Sequence, residues 1–315
     1  GAARGPGGLA RPEPDAPGGA ACGGAEGAPR AVRFGAEEPL EVGAGRGRWR
    51  GTEAQALFPK PGGAGGGLRR LRRLRGLAAE AEVAGILREA QTSLPFGTDG
   101  DAVDGWPTYE CCVVQAGQYV HAVLEPILRP IIEDRLLPYV RERFGAPNAA
   151  VCTVLVRRYL PDERRSRPAR AESRFFCSAE LGLNVGEFTG GLYVQPRPGA
   201  EGREFVELGR GDLAVHQYDL PSGARIFSGS QYSLVFRVTD CARSCATGDT
   251  PWYDAAVAAG DPDAMAALAR RLSSGAGERA GGDLERAVAL CRRAAEMGQT
   301  DAMACLAELH LAGRA

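Results

Sequence analysis

The sequence predicts an α+β fold: a jelly roll of antiparallel strands with helices packed outside it, followed by an α-helical repeat segment. Three observations predict it. Apolar residues recur at helical spacing from Ala78 to Phe144, on both sides of a loop. From residue 149 the pattern changes to short runs rich in Val, Leu, Phe and Tyr, separated by turn signals, with no helical stretch between them. Beyond Pro251 the chain repeats itself: GDPDAMAALARRLSSG from Gly260 returns as GQTDAMACLAELHLAG from Gly298, a period of 38 residues.

Each element follows in order. Residues 1 to about 75 are dominated by Gly, Ala, Pro and Arg and, apart from PLEV and QALF, hold little to pack, so they read as a disordered arm. LRRLRRLRGL closes the arm, with Leu68, Leu71 and Leu74 every third residue among arginines. It reads as a solvated helix start, the other reading being a basic amphipathic helix for a membrane surface or an acidic partner. The domain at 76–240 begins with helices over 78–144. Leu77, Val83, Ile86 and Leu87 mark the first helix, and Phe96 to Pro107, rich in Gly and Asp, marks a loop. Tyr119 to Phe144 reads as a longer helix or helix pair striped by Val123, Leu124, Ile127, Leu128, Ile131 and Ile132, with Pro126, Pro130 and Pro138 segmenting it. His121, where it begins, reads as an ordinary core or surface histidine.

The barrel spans 149–240, through AAVCTVLVRRYL, FFCSAELGLN, FTGGLYVQP, EFVELGRGDLAVHQY and QYSLVFRVTD. In the repeat segment at 251–315, LERAVALCRRAAEMG separates the two copies as an alanine-rich helix. Met265 and Met303, like Leu268 and Leu306, occupy equivalent positions and are expected to face the core between helices. On this reading the segment stands apart from the barrel, and cutting the chain at 250 leaves the barrel's melting unchanged. His310 reads as a surface or inter-repeat residue.

Charge and cysteine content narrow the function classes. The formal net charge is -1, from 38 basic and 39 acidic residues, so no whole-chain field points to nucleic acid or an anionic membrane. No apolar run approaches the roughly 18 residues of a spanning helix, so no transmembrane segment is expected. Nine cysteines, an odd number scattered over a long chain, favour free thiols in a reducing compartment over a disulfide framework. That favours the cytoplasm, although the chain starts at a glycine and reads as lacking an N-terminal segment. Cys241 and Cys245 form a close pair, and with no nearby histidine they do not read as a metal site.

Taken together, RRYLPDERR, LGLN, EFTGGLYV, GDLAVHQYD and GSQYSLVF resemble, in this order, the catalytic domain of prolyl 4-hydroxylase-like 2-oxoglutarate/Fe(II) dioxygenases. DGWPTYE and LLPYVRERFG resemble that family's helical N-terminal half, so the resemblance covers roughly 76–240. The repeat segment is similar to the Sel-like repeat, a relative of the tetratricopeptide repeat, and reads as an incomplete array. The resemblance implies a double-stranded β-helix that hydroxylates peptidyl proline using Fe(II), 2-oxoglutarate and ascorbate. It also implies a facial triad of a histidine, a carboxylate two residues on and a distant second histidine, with a basic residue clamping 2-oxoglutarate.

The sequence departs from that pattern. Counting back from LGLN, the first histidine and carboxylate positions fall on Arg170 and Glu172, the distal histidine position falls on Ser222, and the clamp before YSLVF falls on Gln231. Tyr159 keeps the family's tyrosine near 2-oxoglutarate. Arginine stays protonated and offers no lone pair, serine is a weak neutral ligand, and glutamine supplies no charge. His216 is the one replacement ligand in reach. The expected occupant of the metal position is the Arg170 guanidinium, paired with Glu172 and hydrogen-bonded to Ser222. The resulting expectation is a non-catalytic scaffold that binds a protein or peptide through its barrel groove and helical repeats. The alternative is an active iron- and 2-oxoglutarate-dependent peptidyl hydroxylase with unusual ligands.

Overall fold

A computed structural model of the chain describes residues 31–32, 71–101, 104–172, 174–195, 203–218, 220–273 and 282–314. Most of the expected N-terminal arm lies outside the described residues. The strands are β1 (Ala31–Val32), β2 (Arg72–Leu74), β3 (Tyr109–Gln115), β4 (Gln118–Tyr119), β5 (Ala150–Tyr159), β6 (Ser166–Arg170), β7 (Cys177–Gly182), β8 (Phe188–Val194), β9 (Glu204–Val206), β10 (Leu213–Gln217), β11 (Ser222–Gly229) and β12 (Gln231–Thr239). They form two sheets, a seven-stranded one ordered β2-β10-β7-β12-β5-β3-β4 and a five-stranded one ordered β1-β9-β8-β11-β6. From β5 to β12 the chain passes back and forth between the sheets, which is the winding of a jelly roll.

Alternation along the seven-stranded sheet separates two interiors. Leu234, Phe236 and Val238 on β12, with Val154 and Val156 on β5 and Leu181 on β7, face the helices and belong to the main apolar core. The residues between them turn into the space between the sheets, and there the sequence supplies Arg157, Glu180, Val235 and Arg237. A smaller apolar cluster of Leu71, Leu192, Val194, Val206 and Ala214 fills another part of that space. The double glycine of FTGGLYV has a steric cause: Gly190 has φ of +91°, and a Cβ there would lie 2.1 Å from the Arg225 carbonyl oxygen.

The N-terminal half differs from the expectation in two places. LRRLRRLRGL does not start a helix: Arg72–Leu74 pairs antiparallel with β10, and Leu71, Leu74 and Leu77 are buried. An i, i+3 spacing of leucines is shared by a helix face and by a short strand running into a turn, and the buried seat beside β10 decides for the strand. The second is a missed hairpin. Tyr109–Gln115 and Gln118–Tyr119 pair across Ala116 and Gly117, which hold φ of 49° and 78°, the left-handed pair that a two-residue hairpin turn needs. The helical run therefore begins later, and Val123 is exposed.

α1 (Glu80–Thr92) buries Val83, Ile86, Leu87 and Ala90. Glu82 accepts the Ala79 backbone N–H at 2.7 Å and pairs with the buried Arg135, which also donates to the Leu77 carbonyl at 2.6 Å. The prolines divide the second helical run into α2 (Glu125–Arg129), a π-helical turn over Pro130–Leu136 and α3 (Leu137–Arg143). Among the described residues no helix is long and apolar enough to cross a membrane.

After β12 come α4 (Ala242–Thr247), α5 (Pro251–Ala258), α6 (Pro262–Ser273), α7 (Gly282–Glu296) and α8 (Thr300–Leu311), with the two repeat copies on α6 and α8. These helices do not stand apart from the barrel. Trp252 and Tyr253 of α5 are buried, Trp252 against Phe176 with ring centroids 5.9 Å apart and Tyr253 against Tyr218 at 4.7 Å. Met265 and Leu268 are buried, whereas Met303 is 46% exposed, because no further helix of the described chain lies over that side of α8. A disulfide joins Cys152 on β5 to Cys245 on α4, which corrects the expectation of free thiols throughout. Cys241 and Cys245 are near in sequence, but the bond goes to a cysteine 93 residues away.

Candidate functional site

The candidate site lies between the two sheets, where β5, β7, β10 and β12 face β6, β8 and β11. Every residue placed in a family slot is there or on its rim. Ser222 opens β11 and is the register partner of Arg170 at the end of β6. Gln231 opens β12 and is the register partner of Tyr159 at the end of β5, and all but Arg170 of these four are buried. Glu172 follows β6 directly, and His216 on β10 lines the same space.

Within the 149–240 barrel, the two strands that carry Arg170 and Ser222 were the two without a strand pattern of their own. β6 reads SRPAR and β11 reads SGARIFSG. Pro168 is tolerated because β6 is the edge of its sheet, where a missing N–H breaks no ladder.

The interior is filled by paired charges. Glu172, whose side chain is 11% exposed, takes Arg237 Nη1 on Oε2 at 2.6 Å. Its Oε1 faces Arg170 Nε at 3.3 Å and Arg167 Nη1 at 3.5 Å. Arg157 sits beside this group and donates to Glu110 on β3 with Nε at 2.7 Å, with Glu180 at 4.0 Å on its other side. Arg170 is the outermost cation, and its Nη1 reaches both oxygens of the buried Asp101 at 3.0 Å.

The guanidinium closest to Glu172 is thus Arg237; Arg170 makes the expected pair with Glu172 at the longer 3.3 Å and turns its Nη1 to Asp101 rather than to Ser222. Residue 237 alternates inward with Val235 and Ser233, whereas Arg170 is the last residue of β6 and can turn to the mouth. The sequence signal for the missed residues was partly present: Glu180 and Arg237 are single charges inside otherwise apolar strand runs, whereas Arg157 is masked by the adjacent Arg158. A charge so placed must face a polar interior.

Titration follows from this packing. Burial alone would raise the Glu172 pKa, but Arg237, then Arg167 and Arg170, outweigh it and hold the carboxyl at about 2. Burial opposes the charge on Arg157 too, yet Glu110, Tyr159 and Glu180 together raise its pKa above the ordinary value. Burial, with Arg157 nearby, lowers that of Arg237 against the pull of Glu172; a guanidinium starts so high that it stays protonated.

The remaining space is about 10 Å³, at most the room for about one water. Arg157, Arg167, Ser178 and Gln231 each leave a buried polar atom without a hydrogen-bond partner, and a water beside the arginines and Ser178 can serve several of them. The residues present do not fit Fe(II): of the three metal positions Arg170 offers no ligand, Ser222 only a weak neutral one, and guanidiniums hold both oxygens of Glu172. Among the described residues, no group of three His, Cys, Asp or Glu side chains is placed to hold a metal ion. They do not fit 2-oxoglutarate either, since Gln231 supplies no charge for its far carboxylate.

No family model and no curated protein matches the chain. Among solved structures it is similar to an oxidoreductase of the 2OG-Fe(II) oxygenase family from Burkholderia pseudomallei, at 21% identity over 54% of this chain and 85% of that one, with a TM-score of 0.44. It is similar to a prolyl-4-hydroxylase from Pseudomonas putida at 17% identity over 54% and 92%, with a TM-score of 0.40. A prolyl hydroxylase from Trichoplax adhaerens, in complex with a hypoxia inducible factor oxygen degradation domain peptide fragment, is similar at 13% over 54% and 83%, with a TM-score of 0.41.

Proposed function

We propose that this chain is a non-catalytic member of the prolyl 4-hydroxylase-like 2-oxoglutarate/Fe(II) dioxygenases, a scaffold that binds a protein or peptide through the barrel groove and its Sel-like helical segment. The single observation that carries the reading is the Glu172 carboxylate held by Arg237, Arg170 and Arg167 in the place where the family's iron site falls. The order of motifs along the strands supports the family. Two positively charged groups at 2.6 and 3.3 Å from one carboxylate repel a divalent cation and already satisfy the anion. An active enzyme would have to open this network and recruit His216. The test is succinate formation by the purified chain with Fe(II), 2-oxoglutarate and ascorbate. The scaffold reading expects none above the rate of heat-denatured protein, and turnover that disappears in His216→Ala would establish the catalytic alternative.

A further inference from the structure

The Cys152–Cys245 disulfide is built asymmetrically. Cys152 is buried on β5, whereas Cys245 is half-buried and lines a cavity of about 230 Å³ walled by Val114, Tyr119, Ile132 and Leu137. A third cysteine, Cys241, is a half-buried free thiol at the start of α4, one helical turn before Cys245, with Sγ 3.3 Å from Ser244 Oγ. Beneath both bonded sulfurs lies the Thr239 hydroxyl, 3.1 Å from Cys152 Sγ and 3.3 Å from Cys245 Sγ. One half of the disulfide therefore lines a cavity, the other is buried, and a spare thiol stands at the N-cap of the same short helix.

We propose that Cys245 is the exchange centre of a thiol–disulfide relay that takes a small-molecule thiol, with Cys241 as the resolving thiol. The incoming thiolate enters the cavity and attacks Cys245 Sγ. An S–S bond forms between the small thiol and Cys245, the Cys152–Cys245 bond breaks, and Cys152 leaves as a thiolate that Thr239 Oγ1 can hydrogen-bond by turning from the Cys241 carbonyl, to which it donates at 2.9 Å, before the thiolate takes a proton from solvent. The Cys241 thiolate then attacks Cys245 Sγ, forms Cys241–Cys245 and releases the small thiol. The net change is one disulfide exchanged for another, so no outside oxidant or reductant is consumed. Residues four apart on a helix hold their Cβ atoms about 5–6 Å apart, against about 3.8 Å in a disulfide, and Cys241 is the extended N-cap residue of α4, with φ of -159° and ψ of 165°. The first turn of α4 must therefore tighten, and it can do so once Cys152 has let the helix go. The relay thereby governs whether α4 is fastened to β5, and α5 with Trp252 and Tyr253 follows three residues after α4.

The proposal is independent of the barrel's catalytic state. Its test uses the full chain in reduced and oxidised glutathione mixtures, with acid quenching, alkylation and peptide mass mapping. The parent is expected to show Cys152–Cys245 under oxidising conditions and Cys241–Cys245 with an alkylated Cys152 at intermediate mixtures. Cys241→Ser should raise the glutathione adduct on Cys245 by roughly tenfold, because resolution is lost. The parent mapping stands whether or not that variant folds. An adduct that forms on Cys152 or Cys241 instead, no exchange in the folded chain, or free Cys152 and Cys245 under oxidising conditions would each overturn the relay.

Discussion

Replacing Glu172 with glutamine keeps the shape of the side chain and removes the negative charge that Arg237, Arg170 and Arg167 share. The cost can be worked from the titration. A carboxyl held at about 2 rather than at 4.5 is stabilised in its charged form by roughly 3 kcal/mol at neutral pH, at about 1.4 kcal/mol per unit. Glu172 is largely enclosed, so solvent screening removes little of this, and the value agrees with the roughly 3–5 kcal/mol lost when one partner of a buried ion pair is deleted. Urea unfolding of the full chain, followed by circular dichroism, should show Glu172→Gln less stable by about 3 kcal/mol with an unchanged slope. Adding Arg237→Met should recover part of the loss, since the orphaned guanidinium is gone. A cost within about 0.5 kcal/mol, the range of an ordinary surface change, would refute the reasoning, as would strict additivity of the two substitutions.

Acid titration gives a second expectation with a definite sign: because the folded Glu172 pKa is depressed, its stabilisation is complete above the unfolded value of about 4.5 and is lost as pH falls towards about 2, and urea midpoints for the parent, but less so for Glu172→Gln, should fall across that window. Arg170→Ala should cost less than Arg237→Ala, since Arg170 keeps 24% of its side chain in solvent and Asp101 retains Arg164 at 3.9 Å; equal losses by urea unfolding would contradict the placement of the network. Truncation after residue 250 removes buried Trp252 and Tyr253 and should lower barrel stability by about 3–6 kcal/mol on area grounds, read as a drop in melting temperature, whereas an unchanged melt would return the helices to an independent array. Gly190→Ala should destabilise strongly, with the Arg225 carbonyl 2.1 Å from the new Cβ and φ at +91°, and a melting temperature equal to the parent's would show that β8 relaxes.

Much of the fold was legible because β5, β7, β10 and β12 bury an apolar face in the main core and β8 buries Leu192 and Val194 between the sheets, so all five carry a strand pattern. β6 and β11 were less legible because polar side chains interrupt them: Arg167 and Ser222 are buried at the site, and only Ala224 and Ile226 of β11 join a small apolar cluster. The β3–β4 hairpin was missed although Ala116-Gly117 between β-rich runs signals one, because the helical stripe beyond it dominated the window. Inside the site, motif counting placed Arg170, Glu172, Ser222 and Gln231 near one another, yet it could not rank the arginines. The alternation of β12 turns Arg237 inward, but which of Arg237, Arg170 and Arg167 comes closest to Glu172 depends on how β6 and β12 lie across the space between the sheets. The cysteine reading failed on sequence distance, since the partner of Cys245 lies across the fold on β5.

The most direct measurement is anaerobic equilibrium dialysis of the full chain against micromolar Fe(II) with and without 2-oxoglutarate, with iron counted per chain. With the Glu172 oxygens held by arginines and about 10 Å³ left between the sheets, the account predicts no iron retained above a control protein and no change on adding 2-oxoglutarate. Retention of one iron per chain, strengthened by 2-oxoglutarate and abolished by Glu172→Ala, would contradict it.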